Sequence, residues 1–314
     1  MIHLFRKQSF LLAICISFVL MFSATPSATP SIDMVGYFDT TLSSSSKPLF
    51  GFSHFDLLYG STLSSDMSAS AYLSVVPVAG GASTIMVSEA IVTLSDPYHK
   101  FMTPYMPISA FSSLDASLGL HLIPFGIITT THAYERDFSD YPLAFTGLLP
   151  PSSLEGMVLS TPLAMMPLAP HISIGAFNGG TLSTSKIYTV GVDTSIVGAD
   201  VGVSYLKQGT GSLIGLDMTY PLLDSLSTTI EMIQDTEVSR IGLYGAFIYT
   251  FNSVIDLGLR YDYLEAADAG GDAATLITFM AKHALASDSF IRLQANMDDE
   301  GLNKSIAGDI VIGF

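Results

Sequence analysis

The chain has 314 residues with 12 Lys and Arg against 28 Asp and Glu, a formal net charge of −16. So acidic a chain makes no nucleic-acid partner, because such binding rests on neutralising phosphates. Yet only 13% of residues are charged and 49% are hydrophobic, with a mean hydropathy of +0.48, values that belong to a membrane protein.

Taken in chain order, Arg6 and Lys7 come first, then an apolar stretch from Ser9 to Phe22, then small or polar residues (Ser23, Ala24, Thr25, Pro26, Ser27, Ala28). That order is the grammar of a secretory signal peptide. Its apolar part falls short of the ~20 residues a spanning helix needs. The chain therefore divides into a signal peptide over 1–28 and one β-barrel domain over 29–314, with cleavage between Ala24 and Ser31. Cys15, the only cysteine, lies in the leader, so no disulfide stabilises the exported part.

Beyond the leader no apolar run is long enough for a helix. The longest uncharged stretch, Gly156 to Ser185, is broken by Pro162, Pro167 and Pro170. Only helices and closed barrels satisfy every backbone hydrogen bond in lipid, so a barrel remains. The local pattern agrees: Ile255, Leu257, Leu259, Tyr261 and Tyr263 alternate with Asp256, Gly258, Arg260 and Asp262. The segments around Ile241 to Phe251 and Ile291 to Asn296 do the same. In a barrel the apolar set faces lipid and the ionised set a wet lumen.

Sixteen such segments are predicted: 33–43, 50–60, 67–76, 84–94, 113–123, 154–165, 171–178, 186–196, 199–207, 212–221, 225–234, 239–251, 254–264, 274–285, 288–297 and 305–314. The fold class is thus an all-β transmembrane antiparallel barrel of about 16 strands, with 14 or 12 as alternatives. An even count places both termini in the periplasm and makes the connections after even strands short. Val197–Gly198 and Asn252–Ser253 fit, while 95–112 is long. The longest connection, 124–153, follows the fifth strand and is the third external loop, which general porins fold into the pore. Ile306, Gly308, Ile310, Ile312 and Phe314 alternate to a terminal phenylalanine, the signal that outer-membrane barrels present to their insertion machinery.

Glu89-Ala90-Ile91-Val92-Thr93-Leu94, then Gly119-Leu120-His121-Leu122-Ile123-Pro124-Phe125-Gly126, Asp140-Tyr141-Pro142-Leu143 and Ala176-Phe177-Asn178-Gly179 stand in that order. The series resembles the pattern of outer-membrane porins of the phosphate-selective and siderophore-uptake (LbtU-like) families, over about 89–180. Where those families carry a basic lead-in before Pro-Phe-Gly, this chain has Gly119-Leu120-His121. What the resemblance implies is a porin fold in the outer membrane of a Gram-negative-type bacterium.

The expected function is passive diffusion of small hydrophilic solutes through a water-filled channel, with a cation preference and with loop 124–153 as constriction. The candidate pore-lining residues are Glu135, Arg136, Asp137 and Asp140 in that loop. Arg240, Arg260, Lys282 and Arg292, one on each of four successive strands, make a basic stripe opposite. Glu89, Asp115, Asp193, Asp200, Asp217 and Glu231 share the inward phase. Opposed acidic and basic walls set up a transverse field that favours hydrated polar solutes. Histidines 54, 99, 121 and 132 invite a metal reading, and Glu135 follows His132 at a helical spacing. That segment is rich in threonine and aromatics and is no helix former, so no metal site is expected. No catalytic or cofactor signature is present, and no enzyme is expected. A non-conducting adhesin or structural barrel, and a specific uptake channel for a metal chelate, are the alternatives. Outer-membrane lipid is the surrounding partner, and a homotrimer is a further expectation.

Overall fold

The computed structural model describes residues 31–43, 49–78, 82–97, 113–131, 136–149, 153–163, 166–179, 185–266, 271–286, 289–298 and 304–313. Within them the chain forms sixteen strands. The first eight are β1 (Ser31–Ser43), β2 (Leu49–Ser64), β3 (Met67–Val78), β4 (Ala82–Leu94), β5 (Asp115–Leu122), β6 (Ser153–Pro162), β7 (His171–Phe177) and β8 (Ile187–Ile196). The second eight are β9 (Ala199–Gln208), β10 (Gly211–Leu223), β11 (Leu226–Asp235), β12 (Arg240–Asn252), β13 (Ile255–Leu264), β14 (Ala274–Ala286), β15 (Ser289–Asp298) and β16 (Lys304–Gly313). Each pairs antiparallel with its chain neighbours, and β1 pairs with β16, Val35 facing Gly313 through to Ser43 facing Ser305, so the sheet closes into a barrel. Closure leaves no strand edge unpaired, which is what lipid demands.

The sixteen predicted segments correspond one to one with these strands, with ends shifted by a few residues. Ile255–Leu264 shows why the pattern was readable. Leu257, Leu259 and Tyr261 lie exposed on the outer face, while Arg260 and Asp262 turn inward and are buried. Tyr188, Val190, Val203, Leu216, Phe247, Phe279 and Leu293 extend that outward apolar surface around β8 to β15. Two-residue turns join β2 to β3, β8 to β9, β10 to β11 and β12 to β13. The even-numbered connection between β4 and β5 is long, and the odd-numbered one between β9 and β10 is only Gly209–Thr210, so the parity rule has exceptions at both ends. Residues 1–30, which hold the expected signal peptide, and Phe314 lie outside the described residues.

The lumen is where expectation and structure diverge. The inward face was expected to be wet throughout, but one side of it is a dry core. Leu154, Phe177, Ile187, Leu206, Leu213, Ile233, Tyr244 and Met280 project from the walls and are buried. They meet Ile123, Phe125, Phe138, Ala144 and Phe145 from the segment between β5 and β6. That segment folds into the barrel, through a single 3-10 turn (Ile128–Thr130) and a short helix α1 (Leu143–Leu148) that packs on β12 and β13. An inward apolar residue is stable only if something apolar covers it, and the folded loop is that cover.

Leu259 stands mid-strand between Phe247 and Phe279 on the neighbouring strands. Leu259→Arg places a charge near the membrane midplane and is expected to cost about 2–4 kcal/mol. Unfolding of the protein in lipid vesicles measures this, and unchanged stability would contradict the outward placement.

Candidate functional site

The site is the lumen, and its geometry is set by how the loop after β5 is fastened. The loop begins at Pro124-Phe125-Gly126. Phe125 is fully buried, and a side chain at Gly215 on β10 would collide with its ring at 2.9 Å. Gly126 has φ +67°, a backbone region costly for other residues, and its amide donates to Ser204 Oγ at 3.0 Å. Behind it stands Glu231, which accepts from Tyr244 Oη at 3.2 Å. Further along, Phe138 lies over Gly258, and Ala144 of α1 sits against Gly242, where an added Cβ would come within 2.6 Å of the alanine methyl. Three wall glycines are thus the notches into which the loop seats.

The four basic residues expected to line the pore are inward, as their alternation implied, and each reaches the loop. Arg240 donates to the Gly147 carbonyl at 3.3 Å and to that of Glu265 at 2.6 Å. Arg260 donates to the Asp140 carbonyl at 2.9 Å and pairs with Asp262 at 2.9 Å. Lys282 faces Asp137 at 3.9 Å. Arg292 donates to the Arg136 carbonyl at 2.6 Å and forms a fork with Asp309. Arg260 and Arg292 are each only 1% exposed, so the structure places them under the loop rather than in open water.

The loop's own charged residues take similar parts. Arg136 donates to Tyr141 Oη at 2.8 Å and its guanidinium stacks 3.8 Å above that ring. The Asp140 carboxylate accepts from Gln294 at 2.6 Å and Asn296 at 3.0 Å. Loss of hydration pushes the Asp137 carboxyl above its ordinary range. Lys282 opposes that shift and Asp256 adds to it. Glu135, the fourth candidate of the loop, lies outside the described residues, as do His99 and His132. His121 is buried edge-on against Phe177, and among the described residues no cluster of three or more metal-ligating side chains occurs.

Two cavities of about 580 Å³ each flank the loop. The one on the short-turn side is lined by Asp193, Asp200 and Asp217, with His171 next to Asp193 at 3.3 Å. The one on the other side is lined by Asp235 and Glu237 beside Leu148 of α1. Neither has a Lys or Arg among its described lining residues. The register carries the lumen face on through Ser68, Thr93 and Ser117, and through Ser160 and Ser173, a wall of small hydroxyls on β3 to β7.

No protein-family model matches the sequence, and no curated protein matches it. Solved structures do match the fold. The outer-membrane channel DcaP of Acinetobacter baumannii superposes with a TM-score of 0.65 at 8% identity, over 93% of this chain and 99% of that one. The anion-selective porin of Comamonas acidovorans gives 0.63 at 12% identity, over 92% and 100%. The trimer form of OmpT, an outer-membrane protein of Vibrio cholerae, gives 0.61 at 10% identity, over 91% and 99%. The fold is that of the outer-membrane porins. At these identities the likeness establishes the architecture alone.

The porin-like motifs of the sequence now have a physical reading. Pro124-Phe125-Gly126 is the turn that sends the loop inward. Asp140-Tyr141-Pro142 carries the Arg260 contact, the platform under Arg136 and the residue that caps α1. Phe177 belongs to the core under the loop. Sequence reasoning missed Asp309 as the partner of Arg292 and the three glycine notches. Asp309 stood in plain inward phase between Gly308 and Ile310, but which charge it meets depends on the β15–β16 register, where it faces Arg292.

Two outcomes follow from the fastening. Arg292→Ala strands the buried Asp309 charge and is expected to cost about 3–5 kcal/mol; joint replacement with Asp309→Leu should recover most of it in denaturant unfolding. Gly242→Leu fills the notch under Ala144 and should lift α1 from the wall, seen as a larger and noisier single-channel conductance.

Proposed function

We propose that the protein is a porin of the outer membrane that passes small hydrophilic solutes by passive diffusion, prefers cations, and uses the loop at 124–153 as its constriction. One observation carries this reading: the basic residues of the lumen are engaged in holding the loop, whereas carboxylates line the cavities on both of its sides. A channel mouth of one sign concentrates counter-ions and repels co-ions. Arg136, Asp137, Asp140, Arg240, Arg260, Lys282 and Arg292 then act on conduction through the position of the loop, and Glu135 is kept as a candidate lining residue of the constriction. The free passage runs between the loop and the hydroxyl-rich wall of β3 to β7.

The short turns face the periplasm in this reading, and Phe314 serves the insertion machinery. The segment similar to the phosphate-selective and siderophore-uptake porins supports a shared inward loop, and the acidic cavities favour cations over phosphate. The trimer form of the Vibrio cholerae protein supports a homotrimer here.

Reversal potential across a salt gradient in a planar bilayer tests the proposal. The expected result is discrete conductance with cation preference, reduced by Asp193→Asn combined with Asp200→Asn. A bilayer that stays sealed at all voltages, or an anion preference, would overturn it.

A further inference from the structure

Across hydrogen-bonded partners, His171, Asp193, Gly202, Asp217, Glu231, Tyr244 and Asp262 form one unbroken row around the inner wall. Its middle and upper members, from Glu231 on, are sealed beneath the loop. Its lower members open into the short-turn cavity, where the Asp193 side chain is 65% exposed. Gly202 has no side chain, and the Asp217 carboxylate lies across it, since a Cβ there would meet both oxygens at 2.5 Å. Asp217 is therefore tilted along the row toward Asp193.

A second feature points at the same place. Glu231, directly opposite Asp217, is 0% exposed. Tyr244 donates to its Oε2 and the amides of Ile127 and Ile128 approach the group, but Oε1 has no hydrogen-bond partner. That oxygen stands directly behind Gly126, a cavity-lining residue, on the side where a Cβ would sit at 1.7 Å. A buried carboxyl oxygen without a partner is a costly arrangement, and only Gly126 stands between this one and the cavity.

We infer that the short-turn cavity is a solute-binding site for a small protonated amine that also carries hydroxyl groups. The inference rests on the porin reading for its role as a way-station in transport, not for the site itself. The acidic groups supply the attraction. Ser173, Ser204 and Thr219 supply hydroxyl partners, and Pro124, Ile127 and Leu168 supply an apolar side for a carbon skeleton. A bare metal ion fits poorly, because no three of the described acidic and histidine groups converge within ligating reach. The cavity volume of about 580 Å³ lies in the range of small-molecule sites.

The test uses the detergent-folded full chain and glucosamine in mildly acidic buffer, with N-acetylglucosamine as its neutral counterpart. Binding is read from the relaxation of the sugar protons, which needs no conduction. Glucosamine should bind about tenfold more tightly than the neutral sugar, the worth of one charge-assisted contact. Asp217→Asn should remove that advantage. Asp193→Asn, at a largely exposed side chain that carries no core, should reduce it in parallel. Equal binding of the two sugars, or an advantage that survives both substitutions, overturns the inference. If the protein conducts in bilayers yet shows no such discrimination, the site is refuted and the porin stands; binding without conductance upholds the site and removes the porin.

Discussion

Everything in this molecule follows from one constraint: within lipid, each backbone N–H and C=O must find its partner inside the protein. The β1–β16 pairing meets it by leaving no edge. Once the ring is closed, side chains can only alternate outward and inward. The apolar set then goes to lipid because there is nowhere else for it, and the charged set is forced into the lumen. Leu257, Leu259 and Tyr261 outside, with Arg260 and Asp262 inside, are the two halves of that one consequence.

Filling the lumen creates a second problem. A charge turned inward is satisfied by water or by a partner, and this chain uses both solutions on different sides. Beneath the loop, Arg292 forks onto Asp309 and reaches a loop carbonyl, the arrangement in which a planar guanidinium is most effective, while Arg260 makes one bond to Asp262 and one to the Asp140 carbonyl. Around them Phe125, Phe138 and Phe145 exclude water, which strengthens those bonds and makes any broken one expensive. Away from the loop, Asp193 and Asp200 stay hydrated. The described cavities keep an acidic lining because the basic residues of the lumen are occupied beneath the loop.

The fold was largely legible because the strand signal has a period of two and lipid enforces it at every turn. Ile255–Leu264 needed no tertiary knowledge. The inward loop was legible as a position, the long connection after the fifth strand, but not as a structure. Alternation shows that Arg292 faces inward; it cannot show whether water or the Arg136 carbonyl awaits it there. Gly215, Gly242 and Gly258 read in the sequence as weak strand residues, and only the docked loop gives each its reason. The inward apolar residues Ile187, Ile233 and Met280 lie in the phase a porin gives to polar groups, so by pattern alone they were exceptions. The dry half of the lumen was written in those exceptions.

The pinned loop is most directly tested by thiol reactivity from the aqueous phase in reconstituted vesicles. Cys15 is the only cysteine of the sequence, so a Cys15→Ser background leaves each introduced cysteine as the single thiol. Ser173→Cys and Ser117→Cys, on the open wall, should react rapidly with a water-soluble, membrane-impermeant reagent, whereas Ile233→Cys, buried where the loop docks, should resist it. Reaction at 233 as fast as at 173 would mean that the loop does not cover this wall, and the division of the lumen into a dry side and an open side would be wrong.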